Sequence, residues 1–196
     1  MALLSGAVAL VSYRYLLGKG PVPDTVAAIR HLDPWIVIHA GGAATALLLG
    51  PLQFLPGLRQ RRPALHRALG RVYVAGCASG GGAALVLATG VSTGPIAGAG
   101  FATLGAAWLA TTSVALREIL NRRVASHQRW MIRSFALTLS AVTLRLYLPL
   151  SGLLGLDPIV AYRAIAWLCW VPNALAAEIY LGRSGPTAMP AMAQVG

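Results

Sequence analysis

The sequence predicts an all-α fold, a polytopic transmembrane helical bundle of about six helices, and three observations carry that prediction. Of 196 residues, 57% are hydrophobic and only 11% charged, with a mean hydropathy of +0.67, whereas a soluble domain carries about 25% charged residues. The apolar residues gather in windows close to the ~20 residues that a helix needs to cross hydrocarbon. The cations gather between those windows. Disorder and a disulfide scaffold are excluded by the apolar content and by two cysteines, Cys77 and Cys169, that both lie inside apolar runs. The chain reads as one integral membrane domain over residues 1–196.

The windows fall at about 1–17, 34–56, 67–90, 95–117, 128–150 and 159–182. The first is short, has no cationic start and carries Arg14 and Lys19 at its far end. It is expected as an uncleaved helix; a signal peptide and an interfacial segment are the other readings it leaves open. The six windows are separated by helix-breaking punctuation: Gly18 to Pro23, then Pro56-Gly57 with Pro63, Gly90 to Pro95, the charged stretch Arg117–Ser126, and Gly155 to Pro158.

Charge gives the expected orientation. The formal net charge is +11, a value that on its own suits nucleic acid, but position argues otherwise. Arg59, Arg61, Arg62, Arg67, Arg71, Arg117, Arg122, Arg123, Arg129, Arg133 and Arg183 all lie in or beside polar breaks. Cytoplasmic loops carry such an excess, and anionic lipids attract it. No nucleic-acid partner is expected, and membrane lipids are. Placing the break 57–71 in the cytoplasm lands the break 117–129 on the same side, with both termini cytoplasmic. Trp35, Tyr147 and Tyr162 then fall near outer ends, as an aromatic belt requires.

The two basic breaks resemble each other. Arg61-Arg62 precedes His66-Arg67, and Arg122-Arg123 precedes His127 and Arg129, each leading into an outward-going helix. The second and third windows and the fourth and fifth thus read as two similarly oriented hairpins, a parallel pseudo-repeat.

Helical stepping by three and four shows which faces should meet protein. In the second window it links His39, Gly42, Ala46, Gly50 and Gln53, and in the third His66, Gly70, Tyr73, Cys77 and Gly81. In the fifth it links His127, Met131, Ser134, Thr138, Ala141 and Arg145. Small residues let membrane helices approach closely. A cation within the membrane costs about 2.5–3.5 kcal/mol on insertion scales, so Arg145 should face the bundle and have a partner. By depth, His39, Arg145 and Arg163 form a candidate outer ligand pocket. His66 and His127, with Arg67 and Arg129, form a candidate inner site.

Several motifs in order, His39…Leu48-Leu49-Gly50-Pro51-Leu52-Gln53-Phe54, His66-Arg67-x-Leu69-Gly70-Arg71-Val72-Tyr73, His127-x-Arg129-Trp130-Met131-x-Arg133-Ser134 and Thr143-x-Arg145, carry a resemblance. Over about residues 35–150 the chain resembles the uncharacterised bacterial membrane family named domain of unknown function 2306. The resemblance implies a polytopic protein of the bacterial inner membrane and brings no activity with it.

Chemistry then has to be weighed on the residues. Haem b needs two imidazoles across one iron, and His66 and His127 qualify by depth, with Arg67 and Arg129 as propionate holders. A quinone carbonyl or a small anion would suit His39 and Arg145. Transport calls for broken helices near the midplane, and only Pro172 with Asn173 hints at one. Hydrolysis is poorly served: Ser134 has no carboxylate to orient a nearby His, no two histidines have metalloprotease spacing, and the cysteines form no CxxC pair. The reading is a non-hydrolytic membrane protein with redox or small-ligand binding, against a structural, assembly or sensing protein without cofactor.

Overall fold

The computed structural model describes residues 2–17, 24–29 and 32–184. The Gly18–Pro23 break, with Lys19, and both chain termini lie outside the described residues. Helices account for nearly all of the rest: α1 Ala2–Ser12, continued by a 3₁₀ turn Tyr13–Leu17, α2 Asp24–Ala27, α3 Leu32–Gln53, α4 Pro56–Arg61, α5 Pro63–Thr89, α6 Pro95–Leu120, α7 Val124–Thr138, α8 Ser140–Leu153, α9 Pro158–Leu168 and α10 Val171–Arg183. Five stretches are long and apolar enough to cross a membrane: Leu32–Gln53, Pro63–Thr89, Pro95–Leu120, Val124–Leu153 and Pro158–Arg183. The chain is a helical membrane bundle.

The expectation of six spans becomes five plus a shorter apolar helix, Ala2–Leu16. Its α-helical part ends at Ser12, and the chain tightens into 3₁₀ geometry just where Arg14 appears. Ser5, Ala9 and Ser12 are its buried face, set against Ala44, Leu47 and Val142.

The basic breaks are also more helical than expected. Pro56, Pro63 and Pro95 each sit in the first turn of a helix, where a missing N–H costs nothing and the fixed φ is already helical. Arg59 and Arg61 ride on α4, while α6 and α7 are joined by only Asn121, Arg122 and Arg123, with Arg122 at a positive φ of 59° to turn the chain. At the other end, the carboxylate of Asp157 accepts from the N–H groups of Ile159 (3.0 Å) and Val160 (2.8 Å) and starts α9.

Close helix contact is set by glycine. A Cβ on Gly42 of α3 would lie 2.7 Å from the Gly76 carbonyl oxygen and 2.7 Å from the Gly80 nitrogen of α5, so only glycine lets these backbones touch. A Cβ on Gly50 would meet the Phe135 ring at 2.2 Å. Around these seams the core gathers Ala46, Tyr73, Cys77, Trp108, Ala115, Met131 and Leu137. Outside, Leu120, Leu146, Leu153, Val160, Leu175 and Ile179 are exposed, a surface that water would penalise and acyl chains solvate.

Two long spans are interrupted at mid-length. Leu139 separates α7 from α8, and Cys169 with Trp170 separates α9 from α10. Pro172 sits in the first turn of α10 and cannot donate to the preceding turn. The Cys169 carbonyl left at the break accepts from the Thr143 hydroxyl and from Nδ2 of Asn173 (3.1 Å).

Candidate functional site

Toward the end of the bundle opposite the basic breaks 57–71 and 117–129, the helices part around a cavity of about 210 Å³. Its walls are mostly apolar, with Leu47, Leu87, Phe101, Leu104, Leu137 and Leu144 among them. Both span interruptions reach it, through Thr138, Ser140 and Cys169. Its polar groups are few: Ser12, Tyr15, His39, Thr138 and Arg145 stand out. This is the composition of a small-molecule site, an apolar cleft with a few convergent polar groups.

His39 and Arg145, expected on one outer pocket, both line this cavity. Nδ1 of His39 lies 2.9 Å from the Gly80 carbonyl oxygen. A carbonyl only accepts, so Nδ1 carries the proton, and in a neutral ring Nε2 is then the acceptor. Arg145 donates to the Ala141 carbonyl (2.9 Å) and to the Ser12 hydroxyl (2.8 Å), and Ser12 passes its own proton to the Val8 carbonyl (2.6 Å). A guanidinium offers five N–H donors, and these two contacts are to neutral oxygens. Among the described residues no carboxylate forms an ion pair with Arg145.

A second cation is near. Arg14 lies over the Tyr15 ring, 5.1 Å from its centroid, and acts electrostatically on Arg145. Arg163, expected in the same pocket, is held elsewhere: its Nε donates to the Thr93 carbonyl at 2.7 Å, beside Gly94 in the turn before α6. Its neighbour Tyr162 lines the cavity instead.

Beneath the cavity lies a buried polar knot. The Tyr73 hydroxyl is 2.9 Å from the Ser134 hydroxyl and 3.1 Å from that of Thr138. Nε1 of Trp108 donates to Thr138 (2.9 Å), and Thr112 meets Ser134 at 2.7 Å. One set of proton directions serves every member: Ser134 to Thr112, Thr112 to the Trp108 carbonyl, Thr138 to the Ser134 carbonyl, Tyr73 and Trp108 inward. The polar stripes of the third and fifth windows therefore meet at Tyr73, Ser134 and Thr138.

At the basic end, His66 and His127 lie within electrostatic reach of each other, as do His66 and Arg67. Nδ1 of His127 donates to the Ala115 carbonyl at 2.8 Å, and among the described residues Nδ1 of His66 is shielded without a partner. Arg67 is exposed. Arg129 donates to the Leu181 carbonyl (3.3 Å) at the end of α10, so its guanidinium is turned toward that helix terminus. Arg133 holds Glu178 through two bonds of 2.6 and 2.8 Å and lies over Trp130. Among the described residues no group of three or more His, Cys, Asp or Glu could hold a metal ion.

Sequence reasoning missed Ser12, Tyr15 and Trp108. A signal for Ser12 existed: Ser5, Ala9 and Ser12 step by four and three along one helical face. Trp108 carried none, because nothing local distinguishes an indole that donates to a buried threonine from one that packs.

Among known proteins, no curated protein and no solved structure matches the chain. A family model described as "Predicted membrane protein (DUF2306)" matches residues 36–181.

Proposed function

The chain belongs to the DUF2306 family of predicted membrane proteins, and on that premise we propose that it is a multi-pass membrane protein that binds a small, ring-bearing, oxygen-substituted molecule of the quinone and quinol class in its outer cavity. The observation that carries the reading is the state of Arg145. A guanidinium is costly inside a membrane, yet among the described residues this one meets only neutral oxygens and retains donors beyond the two it uses.

The ligand class follows from the complement. Arg145 donates and the neutral His39 ring accepts, so a matching molecule offers an acceptor oxygen on one side and a hydroxyl on the other. A carbonyl or phenolate satisfies the first and a quinol hydroxyl the second. Size agrees with this: an apolar cavity of about 150 Å³ holds benzene, so about 210 Å³ admits a substituted ring. The apolar walls suit the ring faces. Trp108 and Thr138, both spent on the knot, close the floor against water.

We further place the basic end in the cytoplasm, on the excess of arginine there, which puts the cavity toward the outer leaflet. Haem between His66 and His127 draws less support, since Arg129 is turned to the end of α10.

The test is to purify the full chain in a maltoside detergent, identify retained small molecules by mass spectrometry, and titrate a short-chain ubiquinone. Saturable one-to-one binding that weakens at least about tenfold in Arg145→Met and in His39→Leu supports the proposal. Binding that never saturates, or that both variants retain, overturns it. An absorption band of haem lost in His127→Ala would favour the inner site instead.

A further inference from the structure

The basic end of the α3–α5 seam holds two buried polar atoms that the described residues do not satisfy. Gln53, the last residue of α3, is only 8% exposed, and its Nε2 has no hydrogen-bond partner. Nδ1 of His66, in the first turn of α5, is in the same condition. The Gln53 amide rests on Gly70, where a Cβ would lie 3.2 Å from Oε1. Gly70 is one helical turn beyond His66 on the same face of α5, about 6 Å along the axis. Both orphans therefore belong to one seam.

The charge around that seam has a single sign. Arg59 on α4, Arg67 on α5 and His127 on α7 all act on His66. The nearby carboxylates are occupied: Glu118 lies 3.6 Å from Arg117 and 3.7 Å from Arg123, and Glu178 is held by Arg133. A buried amide, and a ring nitrogen shielded on a half-buried imidazole, normally find partners, because an unmade bond away from water is expensive. An unspent amide N–H and an unpartnered ring nitrogen beside guanidinium groups, with the carboxylates of Glu118 and Glu178 already paired, call for an acceptor-rich anion.

We propose that Gln53 and His66, with Arg59 and Arg67 supplying charge, form a binding site for a phosphoryl group at the basic end of the bundle. Two sources offer that chemistry, an anionic phospholipid headgroup in the adjacent leaflet and free phosphate. Either oxyanion accepts from the Gln53 amide and the His66 ring while its charge is balanced by the two guanidinium groups. The site is separate from the outer cavity and stands whether or not a quinone binds there.

The experiment uses the full chain, delipidated in a maltoside detergent, with phosphatidylglycerol titrated by native mass spectrometry. A single tight lipid is expected on the wild type, weakened about tenfold in Gln53→Leu and unchanged in Arg61→Ala, whose exposed side chain is outside the seam. In a second arm, inorganic phosphate is added: displacement of the lipid assigns recognition to the phosphate group alone, and no displacement assigns it to the intact headgroup. Because Gln53→Leu could also disturb packing, phosphorus NMR of the wild type supplies an independent readout, a resolved slow-exchange resonance for one bound phosphate or lipid. Equal lipid affinity in wild type and Gln53→Leu, or a wild-type spectrum with no bound resonance, overturns the proposal and leaves the seam to water.

Discussion

Tyr73, Ser134, Thr138, Trp108 and Thr112 at mid-depth, and Ser12, His39 and Arg145 around the cavity, both bring polar groups into an apolar bundle. They do so with opposite bookkeeping. In the knot, each hydroxyl proton and the indole N–H has an acceptor within 3.1 Å, and no member carries charge. At the cavity, a full positive charge meets two neutral oxygens, and among the described residues only Nδ1 of the His39 ring is hydrogen-bonded. A closed set of hydrogen bonds fixes how helices pack; an open one leaves groups that a further partner could satisfy. Membrane burial makes the difference sharp, since water cannot complete what the protein leaves undone.

The comparison breaks most visibly if the knot is damaged. Ser134 is fully buried, so Ser134→Leu both overpacks the core and takes one hydrogen bond from each of the Tyr73 and Thr112 hydroxyls. A loss of about 3–5 kcal/mol is expected, read as unfolding at much lower denaturant in a mixed-micelle titration. Unchanged stability would mean the knot is incidental.

Arg145→Met should act in the other direction. Removing a charge that has no carboxylate partner among the described residues is expected to raise the stability of the ligand-free protein by up to about 2.5–3.5 kcal/mol, while ligand binding falls. The same titration, paired with a binding curve, checks both signs. A destabilised Arg145→Met would place this residue with the knot, as a structural member.

Gly42→Ala separates the two regions further. The added methyl meets the backbone of Gly76 and Gly80 at 2.7 Å, and it should cost about 1–3 kcal/mol. It also pulls α3 away from the carbonyl that orients His39, so ligand affinity should fall while the contacts of Tyr73 with α7 persist. The smallest effect is expected from Gly82→Ala, where a Cβ meets nothing within 4 Å. A gain of up to about 1 kcal/mol from helix propensity, with binding untouched, makes it the control for the glycine-rich seam.

Much of this arrangement was legible in the sequence because helical stepping survives folding. The stripe from His39 through Gly42 to Gly50 does meet neighbouring helices, and the stripes through Tyr73 and through Ser134 and Thr138 do join. What sequence could not supply were partners without a pattern of their own. The Gly80 carbonyl that takes the His39 proton and the Ala115 carbonyl that takes the His127 proton are backbone groups, silent in composition. Ser12 reaches Arg145 across 133 positions, on a segment whose charge and length made it the least regular of the windows. Arg163 shared the right depth but points to the Thr93 carbonyl, and depth alone does not set azimuth. The break at Cys169 was hinted at by Pro172 and Asn173; the one at Leu139 had no proline to announce it.

On the proposed reading Arg145 and His39 face a cavity that takes a ligand, and fluorescence tests this directly, because Trp108 lines the same space. With the full chain in lipid nanodiscs, a short-chain quinone should quench tryptophan emission along a saturable curve, and Arg145→Met should remove the saturable part while leaving only collisional quenching. Linear quenching in the wild type, identical to that of Arg145→Met, would contradict the account.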